Sequence, residues 1–198
     1  MPPTTLSDLY VEELKDLYSA ESQIIKALPK LVKAATDPRL KRAFEAHLGQ
    51  TKTHVERLER IFEDLGKSPK GKKCHGMEGV LEEGASLIEE RPEPSVLDAG
   101  LISAAQHVEH YEMAGYGSVR TWAQQLGHSD QADLLQATLD EERETDQQLT
   151  QLAEVWANSQ AEVASEVSRT PTKNADVRAP RQSPPIAKSG ARPRSDAR

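Results

Sequence analysis

With 198 residues, 36% hydrophobic and 29% charged, the chain has material for one domain of ordinary size rather than two. Aromatics reach only 4%, which excludes a β-sandwich or barrel and leaves a core of Leu, Ile, Val and Ala. The net charge of −7 is unevenly spread: from Ser168 onward eight Lys/Arg face two Asp, whereas the preceding residues carry 17 basic and 30 acidic side chains.

The opening Met1-Pro2-Pro3-Thr4-Thr5-Leu6 lacks a secretory signal. No apolar run approaches the ~18–20 residues that cross a bilayer. The one cysteine, Cys74, has no internal disulfide partner and is assigned no role. A soluble, cytoplasmic, all-α protein is expected.

The first predicted helix covers residues 6–35. Leu14, Leu17, Glu21, Ile24, Leu28 and Leu31 recur at its spacing, Thr5 or Ser7 caps it, and Thr36-Asp37-Pro38 ends it. A second, over 38–65, carries Leu40, Phe44, His47, Thr51, His54, Leu58, Ile61 and Leu65 on one stripe, and Gly66 stops it. A Lys- and Gly-rich loop with Cys74 leads to a short helix over 77–90, broken by Pro92 and Pro94. A third long helix over 95–126 turns Leu97, Leu101, Ala105, Val108, Glu112 and Val119 one way. After Gly127-His128-Ser129, a fourth over 129–157 does so with Leu135, Leu139, Glu142, Asp146, Leu149, Leu152 and Trp156. Four amphipathic helices bury their stripes best as a bundle, here two antiparallel hairpins joined by a long crossover carrying the short helix. Ferritin-like bundles have that pattern. Residues 1–160 form this domain. The Pro-rich basic stretch 161–198 is expected to be disordered, because it has too little apolar surface to offset its ordering entropy.

Every stripe is interrupted near its middle by side chains that bind metals. These are Glu21, then His47 and His54 with Gln50 between, then Glu109 and Glu112 three apart, then Glu142 and Asp146 four apart. Antiparallel packing brings these levels together. Taken singly, each has a plain structural reading: a boundary Glu, a hydrogen-bonded core His, a solvated face at Glu109 and Glu112. Glu141 and Glu142, being adjacent, cannot both face inward. Together, four or five carboxylates with one or two imidazoles would be costly to bury without divalent cations, and a thiolate-free set suits iron or manganese over structural zinc.

Several stretches resemble the YciF-type branch of the ferritin-like superfamily: Leu17-Tyr18-Ser19-Ala20-Glu21, Thr51 to Leu58, Cys74-His75-Gly76-Met77-Glu78-Gly79, Val108-Glu109-His110-Tyr111-Glu112, and Thr138 to Glu142 with Thr145-Asp146. The resemblance covers about three quarters of the chain and leaves out the basic tail. It implies a homodimer and two iron or manganese ions per chain between the helices, and supplies no settled reaction. The sequence departs from the usual Glu-x-x-His pair of di-iron proteins, since Thr51 stands three before His54 and Thr145 three after Glu142. Glu109-x-x-Glu112 looks like the extra carboxylate of rubrerythrins. The candidate ligand set is Glu21, Gln50, His54, Glu109, Glu112, Glu142 and Asp146, with His47 left outside it. Tyr18 and Tyr111 stand near Glu21 and Glu112 and serve packing, ligand hydrogen bonding or electron transfer.

Three functions remain open: redox chemistry of peroxide or O₂ at a dinuclear centre, a non-catalytic metal-binding bundle in which ions neutralise buried carboxylates, and an interaction protein whose basic arm docks nucleic acid. No phosphate-binding loop or nucleophile–base pair is present in the sequence.

Overall fold

A computed structural model describes residues 2–169 of the chain. Its elements are α1 (Leu6–Ala34), α2 (Pro38–Asp64), α3 (His75–Glu90), α4 (Pro94–Gln125) and α5 (Ser129–Leu152), then a π-helical turn (Ala153–Ala157) and α6 (Asn158–Arg169). No strand occurs among the described residues, and none of their helices is long and apolar enough to cross a membrane. Helix α6 runs past the boundary expected at 160; the remainder of the expected tail, 170–198, lies outside the described residues.

Local chemistry sets the helix ends. Thr5, rather than Ser7, caps α1, in a reciprocal capping box with Asp8. Helices α2 and α4 end alike: Gly66 and Gly127 adopt φ of +63° and +81°. The next amide then closes a six-to-one bond, Lys67 N to Phe62 O at 3.0 Å and His128 N to Ala123 O at 2.9 Å. Helix α3 begins at His75, two residues before the expected start, because the Cys74 side chain caps it by accepting from Met77 N.

Helices α1 and α2 form one hairpin and α4 and α5 the other; α1 packs on α4, α2 on α5, and α3 lies across α1 and α4. Two hydrogen bonds fix the directions. Tyr10 near the start of α1 reaches Gln131 at the start of α5 (3.0 Å), and Asp98 at the start of α4 reaches the α1–α2 turn. Neighbouring helices are therefore antiparallel, and the crossover with α3 must return the chain along the bundle.

Asp98 is fully buried and accepts from Thr36 N (2.7 Å), Thr36 Oγ1 (2.5 Å) and Asp37 N (2.9 Å). It takes the place of a third strap between the hairpins. Asp98→Ala removes the acceptor of all three hydrogen bonds and should lower unfolding stability by about 3 kcal/mol in urea titrations. A loss below about 0.5 kcal/mol would show that the turn holds without it.

The core divides into two apolar plugs. One centres on Tyr10, Leu14, Leu58, Ile61, Tyr116 and Leu135, the other on Ile24, Leu28, Leu40, Phe44, Leu101 and Leu149. Between them lies a layer of buried polar side chains contributed by all four long helices.

Candidate metal centre

Each helix delivers its part of this layer because a polar residue replaces an apolar one in the buried stripe. Helix α1 gives Glu21, α2 gives His47 and His54 two turns apart, α4 gives Glu109 and Glu112, and α5 gives Glu142; none is more than 3% exposed. Their ligand atoms fall into two groups, His47–Glu109–Glu112–Glu142 and Glu21–His54–Glu142, each within 4.8 Å of one another. Glu142 belongs to both.

These atoms approach one another to ion-pair distance without meeting hydrogen-bond geometry. His54 Nδ1 lies 2.9 Å from Glu142 Oε1 and 3.3 Å from Glu21 Oε1, and His47 Nε2 lies 3.3 Å from Glu109 Oε1. Both ring nitrogens of His47, Nδ1 of His54 and both oxygens of Glu112 and of Glu142 nevertheless lack a hydrogen bond. Of the ten buried, unpaired side-chain polar atoms among the described residues, all but Arg120 Nε belong to these six residues. Native interiors rarely leave such groups unsatisfied, and this concentration at one level is what an ion binding between them would relieve.

The electrostatics agree. Burial, with Glu142 and Glu21 nearby, pushes the Glu109 and Glu112 carboxyls well above the ordinary range. Burial also raises Glu21, whereas the neighbouring His54 holds Glu142 below the usual value in spite of its burial. Burial would lower the His54 imidazolium, but the carboxylates of Glu142 and Glu21 outweigh it and push it up to about 10. Burial lowers His47. In the metal-free protein the protons of Glu109, Glu112 and His54 stand in for missing cations.

An outer layer orients these groups. His54 Nε2 is 2.8 Å from Glu141 Oε2, and Arg57 grips Glu141 through both terminal nitrogens (2.7 and 2.8 Å) and also donates to Thr138 Oγ1 at 3.1 Å. An Nε2–H donated to Glu141 leaves the Nδ1 lone pair for a metal. The Tyr116 hydroxyl donates a hydrogen bond to Glu21 Oε1, leaving Oε2 free. Burial and the adjacent Glu21 keep that phenol protonated.

Five of the seven sequence-nominated residues therefore converge: Glu21, His54, Glu109, Glu112 and Glu142. Asp146 stands outside both groups, accepting from Gln106 Nε2 at 3.0 Å with His110 Nε2 at 3.4 Å. Gln50 is half-buried at the rim, its Oε1 3.5 Å from Thr145 Oγ1. His47, left outside the set, lies inside it; its spacing of seven from His54 is the signal, since two helical turns restore the same face. Tyr18 and Tyr111 do not bond the cluster. Tyr18 donates to Glu59 at 3.0 Å, and Tyr111 to Asp16 at 3.0 Å beside Cys74 Sγ. Tyr116, one turn after Glu112, is the tyrosine at the site.

A family model described as a domain of unknown function, DUF892, matches residues 5–162. Protein YciF of Escherichia coli strain K12 is 45% identical over 159 residues, 80% of this chain and 96% of its own. The crystal structure of that protein, described as a stress protein, matches with a TM-score of 0.74 over 76% of this chain and 96% of that one. YcfI of Rhodopseudomonas palustris, described provisionally as a structural protein, matches at 39% identity and a TM-score of 0.72, covering 74% of this chain and 94% of its own. A two-domain protein of Anabaena variabilis with a ferritin-like domain matches at 16% identity and a TM-score of 0.54, over 95% of this chain and 42% of that one; this likeness concerns the fold alone. The fold is an all-α bundle of the ferritin-like kind.

Proposed function

The chain belongs to the DUF892 family, and on that premise we propose that its buried layer holds two iron or manganese ions and acts in peroxide or general stress defence. The observation that carries this reading is the pair of ligand groups sharing Glu142, with their unpaired atoms converging at one level. Charge supports the number: the four carboxylates Glu21, Glu109, Glu112 and Glu142, with two neutral imidazoles, balance two divalent cations. The donor set of oxygens and imidazole nitrogens without thiolate suits iron or manganese.

His47, Glu109 and Glu112 would hold one ion, Glu21 and His54 the other, and Glu142 would span both. Two redox-active ions would supply electron exchange with a peroxide. The chain's own residues do the rest. Glu141 and Arg57 fix the His54 ring, Tyr116 holds one oxygen of Glu21, and the apolar plugs above and below exclude bulk water. The name given to the Escherichia coli relative supports the stress-related direction.

The test is elemental analysis of protein purified without chelator or metal-affinity resin, with Fe(II) and Mn(II) titrations of the stripped protein. About two ions per chain are expected, and a protein refusing both metals would end the proposal. The closed burial of every ligand also fits a non-catalytic bundle stabilised by its ions. That reading predicts bound metal whose spectrum hydrogen peroxide leaves unchanged.

A further inference from the structure

Ligands this deeply buried raise the question of how a small molecule reaches them. Two cavities of about 20 Å³ each end on His47 and Glu109 from different sides of the bundle. One, under α1 and α3, has only apolar walls besides those two residues, among them Ile24, Leu28, Leu81 and Val108. The other, between α2 and α5, adds Gln50, Thr145 and Gln148. It also shares Ala43, Ala46 and Gln148 with a surface cleft of about 500 Å³, so the cleft adjoins it across those side chains. Arg39, Arg42 and Trp156 line that cleft. Arg39 lies 4.6 Å over the Trp156 ring and pairs with Asp37 at 3.0 Å, whereas Arg42 joins no ion pair among the described residues.

We propose that the α2/α5 cleft is the route by which a small polar oxidant of the peroxide class reaches the His47–Glu109 side of the metal centre, with Gln50 and Thr145 as its inner gate. The proposal rests on the dinuclear reading above. Size selects first: a space of this volume holds about one water-sized molecule, so peroxide passes end-on and organic substrates stop in the cleft. Polarity selects next. The Gln50 amide and the Thr145 hydroxyl, 3.5 Å apart, replace the hydrogen bonds that a peroxide gives up on leaving water, and the α1/α3 cavity has no such groups. Charge selects last. The unpaired Arg42 repels divalent cations and leaves neutral hydrogen peroxide unaffected, so oxidant and metal do not share this approach. Gln50 thus serves at the passage rather than on an ion.

The test uses the full chain loaded with Co(II), and azide, a small anion, as the probe. Its binding is followed by the change in the cobalt visible bands after rapid mixing. Ala46→Trp, at an exposed position on the shared wall, should slow azide association about tenfold, and Arg42→Glu about threefold with a weaker salt dependence. Both variants should keep the wild-type Co(II) content. Ala27→Trp, on the wall of the α1/α3 cavity, should leave the rate unchanged. Unaltered rates in Ala46→Trp and Arg42→Glu, or slowing confined to Ala27→Trp, would overturn the route while leaving the dinuclear centre standing. A wild-type protein that takes up no Co(II) would instead overturn the centre, and the route with it.

Discussion

Glu142→Ala is expected to empty both halves of the metal centre, taking bound iron or manganese from about two ions per chain to none and weakening Mn(II) binding by more than about 100-fold. The expectation follows from its position in both ligand groups, which no other residue shares. Glu21→Ala or Glu112→Ala removes a donor from one group only and should leave one ion behind. Glu142→Ala also deprives His54 of the carboxylate closest to its Nδ1, at 2.9 Å, so the imidazolium should deprotonate more readily. Equilibrium dialysis with elemental analysis, beside far-ultraviolet circular dichroism to verify the fold, separates the cases. A folded Glu142→Ala protein that retains one tightly held ion would show that the two groups bind independently.

The second large effect concerns stability, and its sign runs against binding. Glu112 is fully buried with both oxygens unpaired. Removing such an unpaired buried carboxyl group in favour of an apolar side chain of similar size commonly stabilises a fold. Glu112→Leu should therefore raise the metal-free unfolding free energy by about 2 kcal/mol while weakening metal uptake. The pH dependence has a matching sign. Carboxyls raised in the folded state, as at Glu109 and Glu112, favour folding while protonated, and that advantage is lost as pH climbs above the ordinary carboxyl range. His54 adds in the same direction, because stability gained by its raised imidazolium is complete below the ordinary histidine value and declines towards about 10. Glu142, held low, opposes them only in more acidic solution. The metal-free wild type should thus be most stable in mild acid and weaken towards pH ~8–9. The loaded protein should do the reverse, since its ligands bind only when deprotonated. Urea midpoints measured at several pH values, with and without Mn(II), test this. A metal-free midpoint that rises with pH would remove the account.

How much of this the sequence discloses depends on whether a signal is local or relational. The bundle is legible because the stripes repeat over many turns and the stops are chemical: Pro38, Gly66, Pro92 and Gly127 punctuate the helices nearly where the structure does. Glu21, His54, Glu109, Glu112 and Glu142 stand out because each breaks an apolar stripe that is otherwise intact. His47 is harder to read, since one buried histidine ordinarily means a hydrogen-bonded core residue; its spacing of seven from His54 gives the face, but its unpaired nitrogens need three dimensions. Asp146 has the right spacing from Glu142 but lies a turn further along, where Gln106 provides a partner and no ion is required. Glu141 does face away from the cluster centre, as adjacency to Glu142 demands, yet it reaches the far nitrogen of His54, a relation between α2 and α5 that periodicity within one helix does not contain. Tyr116 is overlooked for the same reason, because its partner Glu21 is 95 positions away.

The π-helical turn at Ala153–Ala157 has a consequence for the end of the chain. A wider turn inserts residues into the helical count, so side chains beyond it no longer continue the face set by Leu135, Glu142 and Leu149. Val155 is left 80% exposed at the mouth of the cleft, while Ala157 is fully buried and α6 keeps its hold on α4. Deleting one residue between 153 and 157 would restore the ordinary pitch, so that the count of about 3.6 residues per turn in α5 would run unbroken into α6. The register of the last helix is thus set by a single local miscount rather than by the stripe that organises the rest of the bundle.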